Sequence, residues 1–265
     1  RHIQRSHVDY YHDLSIHAKA ALGGTDHTAW VNRLTSDIHN LRAAMRWTLT
    51  NNERQLALAL SSNLATFWIL EGYTSEGKDW VTTALAHPAK ATPASVRTAL
   101  EAVARISFFQ SLYRETQTYV DQALAIPSPN ESETARLLTI AGLTAYEQGH
   151  FDQASHYFEQ TLTMYRALDD QAQIRNALNN LGLVAIDRGN LTTARQIFES
   201  VIVLAREAQN PRHIANPLSN LAMIEVLDRQ YSVAEPLIVE GITICRNERN
   251  TTILGYFLTH FTACL

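Results

Sequence analysis

The sequence predicts an all-α fold: a right-handed superhelix of α/α hairpins stacked in series behind a helical arm. Three observations predict it. First, residues 177–204 read as two short helices. Leu178, Leu181, Val184 and Ala185 form an apolar face at helical spacing, Gly189-Asn190 breaks it, and Ala194, Ile197, Phe198, Val201 and Ile202 form a second. Second, the unit recurs. The small residue of its first helix falls at Ala65, Ala104, Gly142, Gly182 and Ala222, in steps of 39, 38, 40 and 40 residues. The small residue of its second helix falls at Gly77, Thr116 (the one departure in size), Ala154, Ala194 and Ala234, and a bulky residue follows four later at Val81, Val120, Phe158, Phe198 and Ile238. Third, 265 residues with 46% apolar and 18% charged side chains suffice for a continuous core. Gly182 and Ala194 lack the bulk that would hold two helix axes apart, so each hairpin can close to roughly 8–10 Å.

The alternation of small and bulky residues, with glycine at the turn in Gly72, Gly149 and Gly189, resembles the tetratricopeptide repeat in a variant longer than the usual unit of about 34 residues. Ser111, Thr116 and Arg229 depart from that pattern. The register gives an arm over residues 1–52 and about five and a half repeats over 53–265.

In chain order, residues 3–21 and 27–51 read as two arm helices parted by Gly23-Gly24, with Thr25 or Asp26 as the cap of the second. The first repeat takes residues 56–70 and 75–86. Thr92 then caps a helix with Pro93 at its first position, and residues 98–109 and 116–126 make the second repeat. Pro127-Ser128-Pro129-Asn130 is an inter-repeat turn, because the register resumes at Gly142. In the fifth repeat Pro217 predicts a kink or a late helix start, while Ser232 with Glu235 reads as a capping box that leaves Pro236 in the first turn. Residues 251–265 read as the first helix of a sixth repeat without its second. The chain opens on Arg1 and stops inside this apolar helix, so it reads as a fragment. An uncapped solenoid face seeks cover, so self-association through 251–265 is expected as an effect of truncation.

Trp30-x-x-x-Leu34, Asn40-Leu41-Arg42-Ala43-Ala44, Trp47, Phe67-Trp68, Gly72 and Glu76-Gly77-Lys78-x-Trp80, together with Arg5, His7, Tyr10 and Tyr11, resemble the segment that follows the nucleotide-binding core of bacterial STAND-type ATPase regulators. That family includes many LuxR-type and antibiotic-regulator-type transcription factors. The family has an acidic residue close before the Asn-Leu-Arg run, whereas this chain has Asp37 and then His39. The resemblance implies an arm leading into a repeat domain that senses signals for a multidomain regulator.

A net charge of −4 gives no general attraction to phosphate backbones, so no direct nucleic-acid partner is expected for this segment. No apolar run reaches membrane-spanning length and no signal peptide stands at the start, so the chain reads as cytoplasmic and the Asn-x-Ser/Thr triplets at Asn130, Asn190 and Asn250 carry no weight. Cys245 and Cys264 fall in successive helices and do not read as a pair.

Gly72 to Asp79 nearly spells a phosphate-binding loop, but no strand precedes it and Asp79 stands where Ser or Thr should hold Mg²⁺. His2, His7, His12 and His17 recur every five residues, a spacing that scatters them around a helix instead of gathering metal ligands on one face. No nucleophile, metalloprotease or paired-cysteine motif occurs, so neither catalysis, a metal nor a cofactor is expected.

One constellation points to recognition. Asn63, Asn180 and Asn220 occupy the same place in three first helices, and in tetratricopeptide domains that position looks into the concave groove. Such an amide either reads a ligand's backbone or ties one first helix to the next. By the same register Arg105, Arg136, Tyr146, Asn176, Asp187, Asn216 and Met223 approach the groove, where solvated helix face is the alternative for each. The Lys/Arg and Asn clamp of chaperone-binding repeats is not reproduced. The sequence therefore predicts a non-catalytic module that binds a protein, a peptide or a small-molecule inducer. The competing reading is a structural scaffold for oligomer assembly with an unused groove.

Overall fold

A computed structural model describes residues 2–23, 27–87, 89–207, 212–247 and 251–264, and the regular structure there is entirely α-helical. The arm comprises α1 (His2–Ala21), α2 (His27–Ser36) and α3 (Ile38–Thr50). The first copy is α4 (Arg54–Asn63), α5 (Ala65–Leu70) and α6 (Thr74–Ala86), and the second is α7 (Pro93–Phe109) with α8 (Tyr113–Leu124). Then come α9 (Glu131–Glu147) and α10 (Phe151–Ala167), α11 (Gln171–Asp187) and α12 (Leu191–Glu207), α13 (Arg212–Leu227) and α14 (Tyr231–Asn247), and finally α15 (Thr251–Cys264). Contacts divide the chain inside α9 into two compact units, residues 1–144 and 145–265.

In the first unit the arm does not stand alone. Val8, Tyr11, Leu14 and Ala18 of α1 meet Leu34, Leu41 and Met45 of α2 and α3, and the same cluster takes in Leu60, Leu64, Phe67 and Trp68 of the first copy. Phe67 is fully buried there, worth about 2–3 kcal/mol of removed apolar area. The arm is also clamped by charge. Arg42 of α3 holds both carboxylate oxygens of Glu76 on α6, at 2.7 and 2.6 Å, and Trp80 Nε1 donates to the same carboxylate at 3.1 Å. The Asn-Leu-Arg and Glu-Gly-Lys-x-Trp motifs are thus two halves of one joint.

The second unit is built by the repeat register. Gly182 lies under Phe198, so close that a Cβ on it would stand 2.6 Å from the ring's Cζ. Small and large residues are matched at a constant sixteen-residue offset: Gly182 with Phe198, but Ala222 with Ile238, and in the first unit Ala65 with Val81 and Ala104 with Val120. Each bulky member is fully buried. Where the first helix has no Cβ the second supplies a phenyl ring, and where it has a methyl the second supplies a branched aliphatic chain, which keeps the filled volume nearly constant. Gly77 and Gly241 serve the same end, against Trp68 and Phe257.

Between the helices of each copy the chain makes one kind of turn. Gly72, Gly149 and Gly189 have φ between +74° and +76°, and Ser111 and Arg229, at the two positions where the sequence departs from glycine, have φ of +57° and +58°. At Ser111, Gly149, Gly189 and Arg229 the next amide reaches back to a carbonyl of the helix just ended, as Asn190 N–H does to Ala185 O at 2.8 Å. The turn geometry is fixed even where the residue pays steric strain.

This turn also sets where the next helix begins, and it corrects the expected capping box. Gln230 N–H bonds Glu225 O at 2.7 Å, so α14 starts at Tyr231, Ser232 lies inside it, and Pro236 falls in the second turn. Pro217 likewise sits inside α13, which starts at Arg212 rather than late; the buried Ala215, Leu218, Leu221 and Ala222 hold that helix despite the missing N–H. The expected helix 27–51 is divided at Asp37, whose carboxylate accepts from Tyr11 Oη at 3.2 Å and from Asn40 Nδ2 at 3.4 Å. The expected helix 56–70 is divided at Leu64, and α8 starts at Tyr113, ahead of Thr116. Thr92 caps α7 through Ser95 N–H at 3.3 Å, with Pro93 in the first turn. The candidate caps Thr25 and Asp26 lie outside the described residues, as does the Cys264 side chain; Cys245 is a buried free thiol whose pKa is raised by burial.

Candidate functional site

The polar residues singled out in the sequence lie on the first helices, and most of them bond the first helix of one copy to that of the next. In the first unit Arg105 of α7 donates to Thr66 Oγ1 of α5 at 2.9 Å, and Arg136 of α9 grips Glu101 of α7 at 2.7 and 3.0 Å. Burial pushes the Arg105 guanidinium below its ordinary pKa, with Arg136 nearby adding to the effect against the pull of Glu101. Asn63 of α4 turns to the arm and donates to Ser15 Oγ at 3.1 Å. Arg97, 3% exposed, satisfies its fork on Ala123 O, Glu133 and Thr134.

In the second unit Asn220 of α13 donates to Asn179 Oδ1 of α11 at 3.1 Å, and Ser219 meets His260 Nε2 of α15 at 3.3 Å. Tyr146 donates its hydroxyl to Asp187, and burial together with that carboxylate raises the phenol pKa, so the ring stays protonated. Arg175 contacts His213 Nδ1 at 3.0 Å; burial first and Arg175 second lower the His213 pKa, which keeps the imidazole neutral and able to accept. Burial also lowers the pKa of His260.

Around these rungs stand groups that no neighbouring first helix uses. Asn180 is half-buried, and its amide makes no hydrogen bond to a described residue. Asn216 is exposed, Asn176 is exposed and bonds only Gln173 of its own helix at 3.3 Å, and Met223 is half-buried. Asn63, Asn180 and Asn220 therefore share a register position without sharing a bonding state.

The sequence reading passed over the other half of the rungs. Three residues before each small residue the first helices carry Ser62, Glu101, Thr139, Asn179 and Ser219, polar in every copy, and Glu101, Asn179 and Ser219 are rung partners. That unbroken polarity beside an apolar face was the available signal. The phosphate-loop look-alike resolves as an ordinary inter-helix turn at Gly72, with Lys78 paired to Glu115. The arm histidines scatter: His17 contacts Asp13 O at 2.8 Å, and His7 packs on Tyr11 with ring centroids 4.7 Å apart. Among the described residues no group of three His, Cys, Asp or Glu side chains is placed to hold a metal, and no helix is long and apolar enough to cross a membrane.

Helical hairpins in series, joined by left-handed turns and tied by polar rungs, define a tetratricopeptide-like repeat fold. Tetratricopeptide repeat family models match residues 134–168 and 173–247, which are the third, fourth and fifth copies. Among solved structures the chain is similar to aspartyl phosphate phosphatase F from Bacillus subtilis, with a TM-score of 0.74, 11% identity, and coverage of 95% of this chain and 69% of that one. It is also similar to a Rap protein complexed with Competence and Sporulation Factor (TM-score 0.67, 14% identity, 99% and 85% covered) and to BtubC from P. vanneervenii (TM-score 0.64, 16% identity, 83% and 91% covered). At such identities the likeness concerns the fold. In sequence it is 27% identical over 179 residues to proteins of Mycobacterium tuberculosis and Mycobacterium bovis, each named "Putative HTH-type transcriptional regulator". The aligned region is 64% of this chain, and the chain spans about a fifth (20%) of the length of those relatives.

Proposed function

We propose that this chain is a non-catalytic sensor and protein-interaction module of a multidomain bacterial regulator, of the STAND and LuxR type that its arm motifs resemble, working in the cytoplasm. Its first-helix face in the second unit binds a peptide or protein. The observation that carries this reading is the half-buried amide of Asn180, which bonds no described residue, beside Asn176, Asn216 and Met223, which no neighbouring first helix uses. A half-buried amide can donate to and accept from an extended backbone at once. A small-molecule inducer on the same face is the narrower variant. The scaffold reading draws on the Asn220–Asn179 and Asn63–Ser15 bonds, which assign those amides to holding helices together. Self-association through α15, where Tyr256 and Leu258 are exposed, is a separate expectation that concentration-dependent light scattering tests.

The test is a displayed peptide library selected against the chain, followed by affinity and melting measured together on variants. Asn180→Ala is expected to weaken the selected peptide about fivefold, near the ~1 kcal/mol of one hydrogen bond, with the melting temperature unchanged. Asn220→Ala is expected to lower melting instead. Selected peptides that bind Asn180→Ala as well as the parent would remove this face from recognition. For the regulator context, the gene on either side is expected to encode an upstream P-loop and a downstream helix-turn-helix.

A further inference from the structure

The repeat register exposes a gap that a neighbouring copy has filled. Arg195 of α12 reaches across to α13, where Nε lies 2.6 Å from Glu225 and Nη2 lies 2.8 Å from Asp228. One repeat earlier the same three positions are Ser155, Ala185 and Arg188. The long side chain and its buried acid are both absent, and the space they would occupy is an open cleft of about 230 Å³ between α10 and the α11–α12 hairpin. Its floor is apolar, from Leu181, Val184 and Ile197, and its rim carries one carboxylate, Glu159, and one guanidinium, Arg188.

We propose that this cleft binds a small apolar α-amino acid. The chemistry of the lining selects that class. The floor favours a branched aliphatic side chain by removal of apolar surface. The two rim charges are of opposite sign, the partners that an ammonium and a carboxylate on one ligand require and that neither a fatty acid nor an alkylamine engages together. A site of this volume holds a ligand of about ten heavy atoms or fewer, below the 300–1,000 Å³ usual for larger ligands. Arg188 is free to exchange: its partner is Asp152, whose side chain is 94% exposed, and so exposed a pair is readily replaced by a ligand carboxylate. Asn180 does not line the site, and the proposal does not depend on the function proposed for the Asn180 face.

The experiment titrates the isotope-labelled chain with L-leucine, with 4-methylpentanoate, which lacks the ammonium, and with 3-methylbutylamine, which lacks the carboxylate, following backbone amide shifts. L-leucine is expected to shift the amides of Ser155, Leu181 and Val184 with low-millimolar affinity, and each analogue to bind at least tenfold more weakly. Two variants control it. Ser155→Arg with Ala185→Glu transplants the plug of the next repeat and is expected to abolish binding while leaving melting equal or higher. Glu159→Gln, an exposed change that leaves packing alone, is expected to reduce L-leucine to the affinity of 4-methylpentanoate. The proposal is overturned if L-leucine shifts none of these amides, if 4-methylpentanoate binds as tightly as L-leucine, or if Glu159→Gln or a folded plugged variant binds L-leucine like the parent.

Discussion

Exchanging the Gly182–Phe198 pair for the Ala–Val pair of the first two copies tests whether size matching sets the hairpin spacing. In Gly182→Ala the new methyl stands 2.6 Å from Phe198 Cζ and 2.8 Å from Cε1, about 1 Å inside ordinary carbon contact. Phe198 is fully buried and has no open side to swing into. Overpacking of this kind costs about 1–3 kcal/mol, against which alanine gains about 1 kcal/mol of helix propensity, so a net loss of about 0–2 kcal/mol is expected. Phe198→Val removes most of a buried ring and is expected to cost about 2–4 kcal/mol, less than full truncation to alanine. In the double variant the methyl enters space the ring has left, the arrangement already present at Ala65 and Val81, so the overpacking is relieved. The double-mutant cycle, read by urea unfolding followed through helical circular dichroism, is expected to show a favourable coupling of about 1–3 kcal/mol. Additivity within about 0.5 kcal/mol would refute the claim that these residues fill one shared volume.

Three further outcomes are expected. Arg229→Gly and Ser111→Gly, each relieving a left-handed backbone at φ +58° and +57°, are expected to raise stability by about 0.5–1 kcal/mol in urea titrations, whereas Gly189→Ala at φ +76° lowers it by about 1 kcal/mol; a loss in all three variants would contradict the shared turn. The Arg42 hydrogen bonds chiefly, and Trp80 after them, hold the Glu76 carboxyl below its ordinary value of 4.5, so the clamp's contribution is complete above that pH and is lost as pH falls through the depressed folded value. The stability gap between the parent and Glu76→Gln is therefore expected to shrink on acidification below 4.5, and a gap that widens there would reverse the sign of this argument. Ala194→Leu, at a fully buried small position, is expected to cost about 1–3 kcal/mol, and an unchanged denaturation midpoint would detach Ala194 from the helix contact.

The sequence by itself determined the repeat. Period, small positions and turn sites all follow from local spacing, because a helix places residues three and four apart on one face and a solenoid copies that face at each step. Ser111 and Arg229 looked like departures in the sequence, yet the backbone there adopts the glycine geometry, since the packed helices on either side fix the turn and the residue conforms. The breaks at Asp37 and Leu64 were not legible. At Asp37 the break coincides with a long-range partner, Tyr11, that no local window contains. The candidate site divides the same way. Register alone put Asn63, Asn180 and Asn220 at one position, but only the tertiary structure decided that Asn63 serves Ser15 and Asn220 serves Asn179 while Asn180 has no such partner. The reason is physical: a side chain's address on its helix is set by spacing, whereas its hydrogen bond depends on what the adjacent helix presents at that height, and that residue lies some forty positions away.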